Sequence, residues 1–287
     1  MKILVACIHY PVASGRFIAR ALRRLGHDVK TVGPSTHNQI WAIHVDPKWN
    51  WEPDLPGWEW HPDLTIIADS AYAIDRPDWG EYALWGVDNH VHGYAGRDYD
   101  YMFFAHSWGA RMDEPNAYWL PPCYDPEAHH DTKSERDIDI GIQAVAYAGR
   151  VEAVTAMRQA GLNVEAGTGY IWDDYRAFYN RTKVAFVQSS RGDLTLRFFE
   201  AMAMGCCVLA DHAEDADRMG FVPGEDYVRY ADAADAVDKT HELLAGDLWR
   251  MIAANGKAKV APHTWDARAA EMLRIIDEKK QTRDRPG

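Results

Sequence analysis

Short apolar runs and helical spacings alternate twice along this chain, and that alternation leaves few architectures open to it. The first cycle opens with "KILVACI" and continues through "RFIARALRRLGHDVKTV". There Phe17, Ile18, Ala21, Leu22 and Leu25 recur on one helical face, Gly26 suits the helix end, and "DVKTV" resumes as a strand. Strand, helix, strand in that order builds a parallel sheet. Further strands are predicted at "LTIIA" (64–68), "ALWGV" (83–87) and "YMFFA" (101–105), with a short one in "AYWL". The polar stretch "PPCYDPEAHHDTKSERD" then breaks the pattern and marks a domain boundary.

A second alternation starts at "IDIGIQAVAYAGR" (138–150) and runs through "VEAVTAMRQAG", "LNVEAG", "DDYRAFYNRT" and "KVAFVQSS". The apolar helix "LTLRFFEAMAMG" leads into "CCVLAD", and "DYVRYAD" closes the sheet. Helices are predicted over roughly 234–245 and 247–255, the second with Asp247 as N-cap and Gly256 just past its end. A last amphipathic helix carries Trp265, Ala269, Met272 and Ile276 on one stripe. The expectation is an α/β protein of two Rossmann-like, doubly wound domains facing across a cleft, with ligands at the C-terminal strand ends. The domains are placed at 1–132 and 133–263, followed by a C-terminal helical segment at 264–287.

Composition removes other classes. The formal charge of −12 over 287 residues argues against gripping nucleic acid by electrostatics. No apolar run approaches the roughly 20 residues that span a bilayer. Cys7, Cys123, Cys206 and Cys207 have no metal-ligand spacing, and "MKILVACIHYP" reads as a strand and not as a signal peptide, so a reducing cytoplasm is expected. The acidic pairs in "WDD" and "DAD" read as solvated, and His129 and His130 lack partners at zinc spacing, so no metal site is predicted. Trp41, Trp49, Trp51, Trp58 and Trp60 form either a stacking surface for a sugar or base or a loop pinned by bulky side chains.

Glu200 poses the sharpest question. It sits among Leu194, Leu196, Phe198, Phe199, Met202 and Met204, which cover nearly every helix face. A buried carboxylate costs several kcal/mol unless it is paired. Either Arg197, one turn earlier, satisfies it, or it holds a ligand hydroxyl.

The run "YNRTKVAFVQSSRGDLTLRFFEAMAMGCCVLAD", then "GFVPGEDYVRYAD" and "ANGKAKVAPHTWDARAAEML", resembles the C-terminal half of GT-B-fold glycosyltransferases of group 1, and most of all their CgeB-type (spore maturation protein-like) branch. The resemblance is specific over about 180–266 and loose over the N-terminal half. It implies a metal-independent, hexosyltransferase-like enzyme that moves a sugar from a nucleoside diphosphate-sugar, a UDP-sugar by preference, to a hydroxyl acceptor such as a glycan, a protein or modified DNA. It also implies that the last helix crosses back to pack on the N-terminal domain.

Roles follow position by position. Glu200 corresponds to the glutamate that contacts the donor ribose, and Arg197 to the arginine of the CgeB-type motif. Arg150 matches a basic residue that meets the diphosphate, and Gly169, Tyr170 and Ile171 lie where the nucleobase rests. An upstream glutamate that contacts the donor sugar is missing: Gly192 stands there, with Asp193 beside it. Gly15 is the candidate for a loop glycine approaching the phosphates, and Asp88 and His90 are the candidates for acceptor activation. Two rival readings remain, a non-catalytic nucleotide-sugar-binding or coat-associated protein and a sugar-nucleotide epimerase or hydrolase of the same fold.

Overall fold

A computed structural model of the chain describes residues 1–36, 47–69, 72–94 and 97–283. The chain divides into two compact units, one of residues 1–122 with 265–287 and one of residues 123–264. The first contains β1 (Lys2–Ala6), α1 (Ser14–Arg24), β2 (Asp28–Val32), β3 (Leu64–Ala68), β4 (Glu81–Gly86), β5 (Tyr101–Phe104) and β6 (Ala117–Trp119). The second contains β7 (Ile138–Gln143), α2 (Ala148–Gln159), β8 (Val164–Gly167), α3 (Trp172–Arg181), β9 (Thr182–Val187), α4 (Leu196–Ala203), β10 (Cys207–Ala210), α5 (Glu214–Arg218), β11 (Val228–Arg229), α6 (Ala233–Leu244) and α7 (Leu248–Val260). The last helix, α8 (Trp265–Arg283), belongs to the first unit.

The first sheet has the order β2-β1-β3-β4-β5-β6, with every pair parallel. Its central strands are buried along nearly their whole length, as a parallel sheet covered on both faces requires. One face packs on α1 and α8, where Phe17 stacks on Trp265 and Trp85 leans on the same indole. The other face is covered by loop side chains: Tyr94 and Tyr99 join Tyr82, Leu84, Met102 and Phe104 in one apolar cluster. Aromatic loops there fill the place that crossover helices usually occupy.

Part of the tryptophan-rich segment, around Asp54 and Trp60, lies along the sheet edge. Asp54 exchanges hydrogen bonds with Thr31 of β2, and Trp60 Nε1 donates to Asp28. The segment therefore shields an edge strand that would otherwise expose unpaired backbone groups. Within it Trp58 points outward, 86% exposed, and Trp41 lies outside the described residues.

The second sheet has the order β11-β10-β9-β7-β8, again all parallel. Helices α2, α6 and α7 cover one face through Val154, Met157, Ala236, Leu243 and Ile252. Helices α3 and α4 cover the other through Phe178, Tyr179, Phe198, Phe199 and Met202. One expectation about α7 needs correction, and the other, Asp247 as N-cap, holds for the position but not for the side-chain bond. Gly256 lies inside the helix, where an added Cβ would collide with the Asp226 carbonyl oxygen, so close backbone approach and not termination selects glycine. Asp247 precedes the helix but caps nothing with its side chain, which pairs with Arg250 instead.

Two ion-pair systems secure the ends of the units. Helix α8 is held by a forked bond from Arg24 to Asp266 and by Arg283 on Glu81, and its stripe of Trp265, Ala269, Met272 and Ile276 is buried. At the start of the second unit, Asp131 accepts from Lys133 and from Lys257 of α7. Burial alone would raise the Asp131 carboxyl, but these ammonium groups override it and hold it well below the usual carboxylate range.

Trp265→Ala is expected to cost about 3–5 kcal/mol in urea unfolding, because it empties the contact between α8 and two other aromatic rings. Asp131→Asn is expected to cost about 1.5–3 kcal/mol at neutral pH. A depressed carboxyl stabilises the fold fully above its unfolded-state pKa and loses that contribution as pH falls through the folded value. The gap between wild type and Asp131→Asn should accordingly narrow below about pH 4 in pH-dependent urea titrations.

Candidate functional site at the C-terminal edge of the second sheet

In the second sheet the chain passes from β7 outward to β8, then returns to the far side of β7 as β9. That reversal opens a crevice at the C-terminal ends of β7 and β9, where α/β sheets bind ligands. Arg150, in the first turn of α2, bridges it: its guanidinium donates to the Gln188 carbonyl after β9 (2.5 and 3.2 Å) and to the Val145 carbonyl (3.0 Å). It also lies over the Tyr147 ring. Burial and then the neighbouring Arg197 lower its pKa, so two cations share this edge.

The loop from Ser189 to Asp193 leads from β9 to α4. Asp193 accepts from the Ser190 amide and hydroxyl and from the Arg191 amide, so it braces the loop. Asp211, after β10, receives the Ser189 amide and hydroxyl from the other side. Burial, with Asp193 adding to it, raises the Asp211 carboxyl despite those bonds. Gly192 has φ +81°, a left-handed conformation that a glutamate would enter only with strain.

Around this loop, several buried polar atoms lack hydrogen-bond partners among the described residues: Gln143 Oε1, Gln188 Oε1, Thr195 Oγ1, Arg197 Nε and Tyr230 Oη. They come from the ends of β7 and β9, the start of α4 and the segment after β11. Each would cost about 1–3 kcal/mol if left permanently unsatisfied. Thr195 occupies the N-cap of α4 without a side-chain capping bond, so the first amides of the helix add donors to this group of donors and acceptors. A small cavity beside them is lined by Asp193, Leu194, Thr195, Phe198 and Asp211.

Glu200 lies one turn further along α4, and its partner is not Arg197. The Tyr175 hydroxyl of α3 donates to Glu200 Oε2 at 2.6 Å, and His129 Nε2 lies 3.6 Å from Oε1. Arg197 attracts the carboxylate through space, with no ion pair between them among the described residues. Burial first, then the Glu200 charge, push the Tyr175 phenol well above its ordinary value, so it stays a donor. Sequence pattern gives neither His129 nor Tyr175 this role. One sits in a polar stretch and the other on a helix face shared with Phe178 and Tyr179, so no motif marks them.

The remaining expected residues fall in three places. Gly169 has φ +107° in the turn after β8, Tyr170 is half-exposed and packs edge-on to Phe178, and Ile171 accepts the first amide bonds of α3. Gly15 lies in the first turn of α1, buried, where a Cβ would stand 2.5 Å from Cys7 Sγ; it permits helix-to-strand packing. Asp88, after β4, donates its amide to the Tyr94 hydroxyl, which in turn donates to Asp69. His90 turns instead toward His106 and Trp108, so the two acceptor-side candidates join different clusters. Among the described residues no three His, Cys, Asp or Glu side chains gather as a metal site, and no helix is long and apolar enough to cross a membrane.

Residues 142–274 match the glycosyl transferase-like family. No curated protein matches the chain. Among solved structures, the sucrose-phosphate synthase of Thermosynechococcus elongatus aligns with TM-score 0.65 at 13% identity, covering 98% of this chain and 100% of that one. HepE of Anabaena, solved with UDP and glucose, aligns with TM-score 0.65 at 11% identity over 97% of this chain and 100% of its own. A glycosyltransferase of Rickettsia africae aligns with TM-score 0.62 at 10% identity over 96% and 98%. The chain therefore has the α/β architecture of GT-B glycosyltransferases, and the match to the glycosyl transferase-like family lies within residues 142–274.

Proposed function

We propose that this protein transfers a sugar, a hexose by preference, from a UDP-sugar or related nucleoside diphosphate-sugar to a hydroxyl acceptor without a metal, as a member of the CgeB-type branch. The observation that carries this reading is the group of unpartnered buried polar atoms around the start of α4, beside Arg150 and Arg197. A diphosphate supplies acceptor oxygens for the donors of this group, the Thr195 and Tyr230 hydroxyls and Arg197 Nε, whereas Gln143 Oε1 and Gln188 Oε1 accept from donors on a ligand; a helix N-terminus favours the negative charge. The Anabaena neighbour was solved with UDP and glucose, which supports a uridine donor here.

In this reading the ribose hydroxyls donate to Glu200, and the base rests against the turn of Gly169, Tyr170 and Ile171. Arg197 and the first amides of α4 stabilise the charge that builds on the departing diphosphate. Arg150, fixed to two backbone carbonyls, holds the crevice in shape and adds positive potential. Asp193 braces the loop beside the sugar and Gly15 contributes packing. Asp88 and His90 are the candidates for taking the acceptor proton. A glycan or protein acceptor suits the charge of −12 better than modified DNA does.

Titration calorimetry in EDTA tests the donor site. Arg197→Ala is expected to weaken UDP by about 10–100-fold, equivalent to losing one charged hydrogen bond, while leaving uridine affinity unchanged. No binding of UDP, GDP or ADP by the folded wild type would refute the reading. Rapid release of free sugar or an epimer from UDP-glucose without acceptor would favour a hydrolase or epimerase.

A further inference from the structure

We infer that Tyr175 and His129 are positioning residues that hold the Glu200 carboxylate in the orientation that reads the donor ribose. The inference rests on the ribose role proposed for Glu200 and adds two residues to that site. His129 lies outside residues 142–274, so the family match assigns it nothing.

The geometry divides the work between the two carboxylate oxygens. Tyr175 Oη lies 2.6 Å from Oε2, the length of a charge-assisted O–H···O⁻ bond. That bond fixes the rotation of the carboxylate and uses one of its roughly four lone-pair positions. Oε1 faces His129 Nε2 at 3.6 Å, too far to take a lone pair but close enough to steer the carboxylate electrostatically. Oε1 thus keeps lone pairs with which to accept from a ligand.

Both positioning groups are themselves held. Tyr175 meets Tyr179 and His129 edge-on, at 4.7 and 5.8 Å between ring centres. His129 is 7% exposed, and its Nδ1 accepts the Asp125 amide at 3.3 Å, which leaves the proton on Nε2, facing Glu200. Asp125 closes the turn by accepting from the Glu127 and Ala128 amides. A free glutamate side chain loses rotamer freedom when a ligand fixes it, so fixing it before the ligand arrives strengthens binding.

The test compares UDP with 2′,3′-dideoxy-UDP on folded wild type, Tyr175→Phe, His129→Ala and His129→Gln by calorimetry. Wild type should prefer UDP by at least about tenfold, one charged hydrogen bond's worth. Tyr175→Phe and His129→Ala should cut that preference to about threefold or less, the loss falling on UDP more than on 2′,3′-dideoxy-UDP. His129→Gln keeps an N–H near the position of Nε2 and should retain the preference. A wild-type preference preserved in both Tyr175→Phe and His129→Ala overturns this inference and leaves the ribose role of Glu200 standing. UDP binding without any wild-type preference overturns both.

Discussion

Helix α4 is locked by its own core. Phe198, Phe199, Ala201 and Met202 are almost completely buried, and they interlock with Phe178, Tyr179, Phe221 and Tyr227. Moving the helix would open cavities that cost several kcal/mol. Arg197 and Glu200, on the remaining face, are therefore fixed by packing rather than by contact with each other. Packing on one face thus sets the position of the polar groups on the other.

The neighbouring loop is fixed by different means. It has little apolar surface, so Asp193 and Asp211 wind it through amide and hydroxyl bonds, and Gly192 supplies the left-handed turn. Together the braced loop and the locked helix leave buried donors and acceptors without protein partners among the described residues. Native interiors rarely keep such groups unpaired, and a ligand site is a physical reason to do so. The first unit uses a third solution: aromatic loop residues cover one face of its sheet, so six parallel strands are sheltered with few helices.

The strands at 64–68 and 101–104 and the stripe of α8 are legible in the sequence because periodicity of two and of 3.6 reflects burial directly. Gly256 is not, because a helix-ending glycine and a close-packing glycine look alike until the Asp226 carbonyl is in place. Gly15 belongs to the same class: its value is set by Cys7 across the helix-strand contact. Asp247 stands where a cap belongs, but its carboxylate follows Arg250.

The sequence by itself determined the alternation of strands and helices, the apolar character of α4 and the placing of Arg197 and Glu200 one turn apart. All of these follow from local spacing along the chain. Only the tertiary structure decided which groups meet Glu200, since Tyr175 arrives from another helix and His129 from the segment that opens the second unit. Those contacts depend on how distant segments pack, and a hydrogen-bond partner brought by packing leaves no period in the chain.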